Sequence, residues 1–187
     1  MTAQVHILTV GYATDRVAST VTLIDDDGHL TIVDPGMVSS RATILDPLMA
    51  LGFTVDDVAD VVFSHHHPDH TLNAALFTQA RFHDHWAIYR DDIWTDSAAE
   101  GRVISPHVSL IATPGHTHED ISTLVETADG PVVFTHAWWT AQGPAIDPLA
   151  ADQDAVTASR RRILALSPSL VVPGHGPGFR PDESTPV

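Results

Sequence analysis

The chain has 187 residues, 43% hydrophobic and 18% charged, with a formal net charge of -15 from 24 acidic against 9 basic side chains. That length supports one well-buried core and excludes two ordinary domains, and the composition excludes a low-complexity chain. The absence of cysteine excludes disulfides and thiolate metal ligands, and the acidic field makes nucleic acid a disfavoured partner.

In chain order, "VHILTVGY", "STVTLIDD" and "HLTIVD" are short Val, Ile, Thr and Leu runs that predict adjacent antiparallel strands, the last two joined at Asp27-Gly28. "SSRATILDPLMALG" predicts a helix capped by Ser39 or Ser40 and stopped near Gly52, distorted at Pro47. "DVADVVFS" feeds a strand that stops at Ser64, and "DHTLNAALF" then predicts a short helix beginning near Asp69. Residues Ala80 to His107 mix polar and aromatic side chains and carry no clear period. "VSLIATPGH", "ISTLVET" and "PVVFTHAWW" predict three more strands, "DQDAVTASRRRILALS" a helix, and "LVVPGHGPG" a strand running into a Gly/Pro loop. The basic triplet Arg160 to Arg162 is expected on the solvated face of that last helix. The two halves repeat strands, helix, strand. The expected fold is therefore α/β, a four-layer αββα sandwich of two mixed sheets with helices on the outer faces. One domain over 1–187 is expected, with 181–187 as a flexible tail. No stretch approaches the roughly 20 apolar residues that span a bilayer, and no export signal is visible, so a cytoplasmic protein without a membrane partner is expected.

The 13 histidines are unevenly placed. His65, His67, Asp69 and His70 form H-x-H-x-D-H just past a strand end, and His116 in "ATPGHT" and His175 in "VVPGHGPG" each follow an apolar run beside glycine. Strand exits are where loops converge on a cleft. Imidazole and carboxylate suit zinc or iron, whereas a tag-like histidine tract would not be completed by two separate P-G-H loops.

These residues resemble the metallo-β-lactamase superfamily over nearly the whole chain, from "IVDPG" with Asp34 through H-x-H-x-D-H and "TPGHT" to "PGHGP", and the short single-domain members in particular. The resemblance implies a first metal held by His65, His67 and His116 and a second by Asp69, His70 and His175. It also implies that Asp34 braces the histidine loop through hydrogen bonds. Two zinc ions are the expected cofactor, with iron or manganese as the alternatives such donors accept. One position departs from the pattern. Many superfamily hydrolases carry F-T-G-D, with an aspartate bridging both metals, where this chain reads "FTHAWW", and Ala137 cannot bridge. His136 is a candidate ligand or a brace, although strand alternation would point it away from the metals. Of the remaining histidines, His66 is expected to be exposed, His83 and His85 to face cleft or solvent, and His118 to lie in a surface loop; Trp138 and Trp139 are cleft or core aromatics.

Such a site implies hydrolysis of a small ester, thioester, lactone or related substrate by an activated hydroxide, with Asp69 orienting the nucleophile and moving a proton. An iron oxidoreductase of the sulfur dioxygenase type is the alternative, and a non-catalytic binding protein of the same fold is a third reading. A small-molecule substrate is expected, and a homodimer is the default assembly.

Overall fold

The computed structural model describes residues 2–187. The first sheet is built from β1 (Gln4–Thr9), β4 (Val21–Asp26), β5 (His29–Val33), β6 (Val58–Val62), β7 (Arg81–His83), β8 (Ala87–Arg90) and β9 (Ile93–Asp96), in that spatial order. Between β1 and β4 lies a small separate hairpin, β2 (Tyr12–Ala13) with β3 (Val17–Ala18). The second sheet runs β10 (Val103–Ser105), β11 (Val108–Ala112), β12 (Ile121–Thr127), β13 (Gly130–Thr135) and β14 (Leu170–Pro173). Both sheets are mixed. β5, β6 and β7 are mutually parallel neighbours in the first, β13 and β14 in the second, and the other pairs are antiparallel.

Alternation along the strands sorts the apolar residues into layers. Ile24, Val33 and Val62 of the first sheet meet Val108, Leu110, Ile121, Phe134 and Val172 of the second in the central core. On the outer face of the first sheet, Leu23, Leu30, Ile32 and Val61 pack on Ile44 and Leu48 of α1 (Ala42–Ala50). On the outer face of the second, Val133 and Val171 pack with Trp138 and with Ile163 of α3 (Gln153–Ala165). The architecture is the four-layer αββα sandwich, with parallel strands arising where a helix or loop crosses back over a face.

Several local expectations are corrected. α1 begins one residue later than the serines suggest, with Arg41 at its cap, although Ser40 Oγ still accepts the Ala42 N–H at 3.3 Å. It continues through Pro47 to Ala50. The helix after the histidine cluster is only α2 (Pro68–Thr71), because the Asn73 N–H leaves the helical ladder and, with Nδ2, donates to Gly36 O. The section 80–107, which shows no period, supplies four short strands, β7 to β10, each too brief for alternation to register. Arg160 is not solvated. It is fully buried and donates to three carbonyls, Ala137 O at 2.7 Å, Ala145 O at 2.9 Å and Pro144 O at 2.7 Å. Within 181–187, Pro186 O accepts from Trp138 Nε1 at 2.7 Å. Among the described residues no helix is long and apolar enough to cross a membrane.

Candidate metal centre

The loops leaving β5, β6, β11, β13 and β14 meet at one end of the sandwich and carry Asp34, Ser64 to His70, His116, His136 and His175 respectively. They place six imidazoles in one cluster. The His65 ring centroid lies 4.6 Å from His67, 4.2 Å from His70, 5.1 Å from His116 and 4.6 Å from His136, and His175 lies 5.2 Å from His70 and 5.1 Å from His136.

Four of the buried rings turn one nitrogen outward to a fixed acceptor, whereas Nδ1 of the buried His136 has none. His70 Nδ1 donates to Asp34 Oδ2 at 2.8 Å, His116 Nδ1 to Asp147 Oδ2 at 2.8 Å, and His175 Nδ1 to Ala18 O at 2.9 Å. His65 Nδ1 donates to Ser64 Oγ at 3.0 Å, and that hydroxyl donates in turn to Asp34 Oδ2 at 2.8 Å. Asp34 itself takes the left-handed backbone, φ 51, which aspartate tolerates better than most residues. Its Oδ1 also accepts the Ser64 N–H at 2.7 Å, so one carboxylate braces both ends of the turn that carries the histidines.

The opposite nitrogens face one another. His67 Nδ1 is 3.1 Å from His116 Nε2, and His136 Nε2 is 3.2 Å from His175 Nε2. Asp69 Oδ2 stands 3.5 Å from both His70 Nε2 and His175 Nε2. Donors about 2.0–2.1 Å from a tetrahedral zinc stand about 3.3 Å apart, so these separations are those of neighbouring ligands. His65 Nε2 and His70 Nε2 are buried with no hydrogen-bond partner, a costly arrangement for a polar atom that has nothing to bind. Burial and the surrounding imidazoles push His65 and His136 well below the usual histidine range. Burial also lowers His116 and His175, keeping their lone pairs free at neutral pH. At His70 burial acts downward too, but the Asp34 carboxylate, joined by Asp69 and Asp120, raises the ring. Nitrogen and oxygen donors, orphaned inward atoms and tetrahedral spacing together fit a bound metal.

The six residues read from the motifs, His65, His67, Asp69, His70, His116 and His175, are thus brought together. His136 corrects the expectation from alternation. β13 ends at Thr135, so the ring is released from the strand pattern and lies inside the cluster, 4.2 Å from His116. Ala137 and Trp138 turn the other way into the core under α3, while Trp139 lines the cleft. His66 and His118 are exposed. His83 faces neither cleft nor solvent: it is buried and donates to Asp60 Oδ1 at 2.6 Å. Sequence reasoning missed Asp147, which sits in no patterned stretch, and Ser64, whose partner Asp34 is 30 residues away, as braces. It also missed Asp120, whose carboxyl burial pushes up to about 7 against hydrogen bonds from Thr117. The glycines of the two P-G-H loops are sites of close approach, for different reasons. A Cβ on Gly115 would overlap the Val156 backbone of α3, and one on Gly174 would overlap the His136 ring.

The cluster floors a cavity of about 320 Å³ walled by Ala13, Thr14, Val17, Trp139 and Leu149. Among the described residues no arginine lines it. A hollow of about 680 Å³ lies beside β1 at residues 127–129, with a single histidine, His6, so convergence of ligating atoms rather than size marks the site.

Comparison with known proteins agrees with this geometry. A family description of the metallo-β-lactamase superfamily matches residues 14–175. The chain is 34% identical over 193 residues to metallo-β-lactamase domain-containing protein 1 of Xenopus laevis, covering 94% of this chain and 81% of that one. It is 34% identical over 158 residues to the Homo sapiens protein of the same name, covering 80% of this chain and 59% of that one. A putative metallo-β-lactamase of Thermotoga maritima superposes with a TM-score of 0.76 at 23% identity, covering 97% of this chain and all of the other. An N-acyl homoserine lactone hydrolase, with its product N-hexanoyl-L-homoserine bound at the catalytic metal centre, superposes with a TM-score of 0.68 at 18% identity over 93% and 92% of the two chains. With its H-x-H-x-D-H loop, its two P-G-H loops and its αββα sandwich, this chain belongs to the metallo-β-lactamase superfamily.

Proposed function

We propose that the chain is a metal-dependent hydrolase of small, neutral esters, thioesters or lactones, holding zinc through His65, His67 and His116 and through Asp69, His70 and His175. The observation that carries this reading is the inward set of imidazole nitrogens, braced from behind and opening onto an apolar cleft. Bound zinc supplies a Lewis acid and lowers the pKa of water toward about 7. The protein supplies the rest. Trp139, Val17 and Leu149 take up the apolar part of the substrate and displace water from around the reacting carbonyl. Asp69 turns Oδ2 toward His70 and His175 at 3.5 Å and remains open to the cleft. It accepts the proton of the attacking water and delivers it to the leaving oxygen or sulfur. An uncharged substrate is favoured because the cavity walls offer no guanidinium for a phosphate or carboxylate. The lactone hydrolase that shares this fold acts on an acylated, neutral ring, which supports the same class here.

The test is a panel of neutral lactones, aryl esters and thioesters, with a phosphodiester and a β-lactam as controls, on zinc-loaded protein with and without chelator. Turnover of a neutral carbonyl substrate that chelation abolishes is expected. Inactivity on the whole carbonyl panel, or turnover that survives chelation, refutes the reading. Elemental analysis of the same samples distinguishes zinc from the iron or manganese that these donors also accept.

A further inference from the structure

We propose that His136 is itself a metal ligand, standing where a bridging carboxylate is missing, and that it makes the two ligand sets unequal. The inference rests on the metal-binding part of the function proposed above. Through Nε2, His136 joins Asp69, His70 and His175 in a closed set of four side chains. His65, His67 and His116 remain a set of three with an open position.

Three observations carry this assignment. The first is direction. Thr135 Oγ1 accepts from Ser122 Oγ at 2.7 Å and from the Ala137 N–H at 3.1 Å, which fixes a bend just past the end of β13. Arg160 Nε then holds Ala137 O at 2.7 Å, and Trp138 fills the core behind it. With its neighbours anchored on the far side, His136 projects inward among the rings of His65, His70, His116 and His175.

The second is space. The His136 ring lies where a Cβ on residue 174 would be, so glycine at that position admits the ring. The third is spacing. The ligating atoms of His70, His136 and His175 all fall within 4.8 Å of one another, as do those of His65, His116 and His136, so the ring stands between the two sets. The 3.2 Å from His136 Nε2 to His175 Nε2 assigns that nitrogen to the second, where Asp69 Oδ2 stands 3.5 Å from His70 Nε2 and His175 Nε2. Four side-chain donors complete a tetrahedron, the arrangement of a site that holds its ion without exchanging ligands, whereas three leave room for water or substrate. The substrate is therefore assigned to the His65, His67 and His116 side.

Cobalt(II) titration of metal-free protein against a competing chelator, on wild type, His136→Ala and Gly174→Ala, tests the proposal. Wild type is expected to take up two equivalents. His136→Ala should keep the equivalent held by the open set and bind the other at least about 100-fold more weakly, with the intense d–d absorption of a tetrahedral site reduced. Gly174→Ala, which displaces the ring but retains the imidazole, should lose the same equivalent. Two equivalents at wild-type affinity in His136→Ala would mean that the ring only donates an N–H to His175, and would overturn the assignment. Uptake of a single equivalent by wild type would overturn the division into two sets. The shifted imidazole N–H resonances of cobalt-loaded wild type decide the matter without any variant: a His136 resonance in the shifted region supports ligation, and one at an ordinary position refutes it. A protein that binds two ions in this way yet hydrolyses no carbonyl substrate would refute the hydrolase and leave the ligand assignment standing.

Discussion

His116 and Trp139 are tied together by a single oxygen: Asp147 Oδ2 accepts from His116 Nδ1 at 2.8 Å and from Trp139 Nε1 at 3.1 Å. The orientation of a proposed ligand and the position of a cleft wall therefore depend on one carboxylate. Asp147→Ala is expected to weaken metal binding by the His65, His67 and His116 set about 10–100-fold. It should also raise KM for apolar substrates under saturating metal, because Trp139 loses its anchor. Competition titration reads the first effect and steady-state kinetics the second. An unchanged KM would show that Trp139 is held by packing alone.

Asp34 makes its contribution through three hydrogen bonds, two to Ser64 and one to His70. Replacing it with alanine leaves a buried N–H, a buried hydroxyl and a buried imidazole without their acceptor, at a cost of about 3 kcal/mol. For a chain of this size Tm should fall on the order of 10 °C. Differential scanning calorimetry of metal-free wild type and Asp34→Ala isolates this effect from lost metal binding.

Away from the cluster, Asp60 is buried within the first sheet and accepts from His29 Nε2, His83 Nε2 and Arg81. Burial alone would raise its carboxyl, but the hydrogen bonds from His83 and Arg81 hold it down at about 2, below the ordinary 3.8. A depressed carboxyl stabilises the folded state fully above pH 3.8, and that contribution disappears as pH falls through 2. About 2 kcal/mol should be lost across this window. Asp60→Asn should remove the acid limb of the stability profile in denaturant titrations between pH 2 and pH 5, and should cost about 3 kcal/mol at neutral pH.

Arg160→Met would fill much of the same volume beneath Trp138 but leave the carbonyls of Ala137, Pro144 and Ala145 without their donor. A loss of about 3 kcal/mol is expected by urea denaturation. The segment 137–145 should also exchange its amides faster than in wild type while α1 does not.

The residues that cluster were legible because their pattern is local: H-x-H-x-D-H and the two P-G-H turns each announce themselves within a few residues. The layer order was legible for a related reason, since β4, β5, β11 and β12 are long enough for hydrophobic runs to register. What escaped depends on distant partners. Nothing near Asp147 in "AIDP" shows that a ring 31 residues away will lean on it. The burial of Arg160 is likewise invisible in "SRRRI", because only the folded 137–145 segment supplies the three carbonyls that neutralise its cost. His136 was misdirected by a rule that holds inside strands and lapses one residue past their ends. α2 stopped early because Asn73 found an acceptor in Gly36, across 37 residues of chain.

Thr20 stands near the start of the chain, yet its Oγ1 donates to Gly176 O at 2.9 Å and accepts the Gly176 N–H at 3.1 Å, across 156 residues. Its own N–H donates to Gly174 O at 2.8 Å, and the neighbouring Ala18 O accepts from the intervening His175. His175 is therefore aligned by residues 18 and 20, an arrangement of very high sequence separation. A chain cut before residue 174 would retain His65, His67, His70, His116 and His136 but leave Ala18 O and Thr20 Oγ1 without these partners. Completion of the cluster is thus tied to the docking of residues 174–176 on residues 18–20.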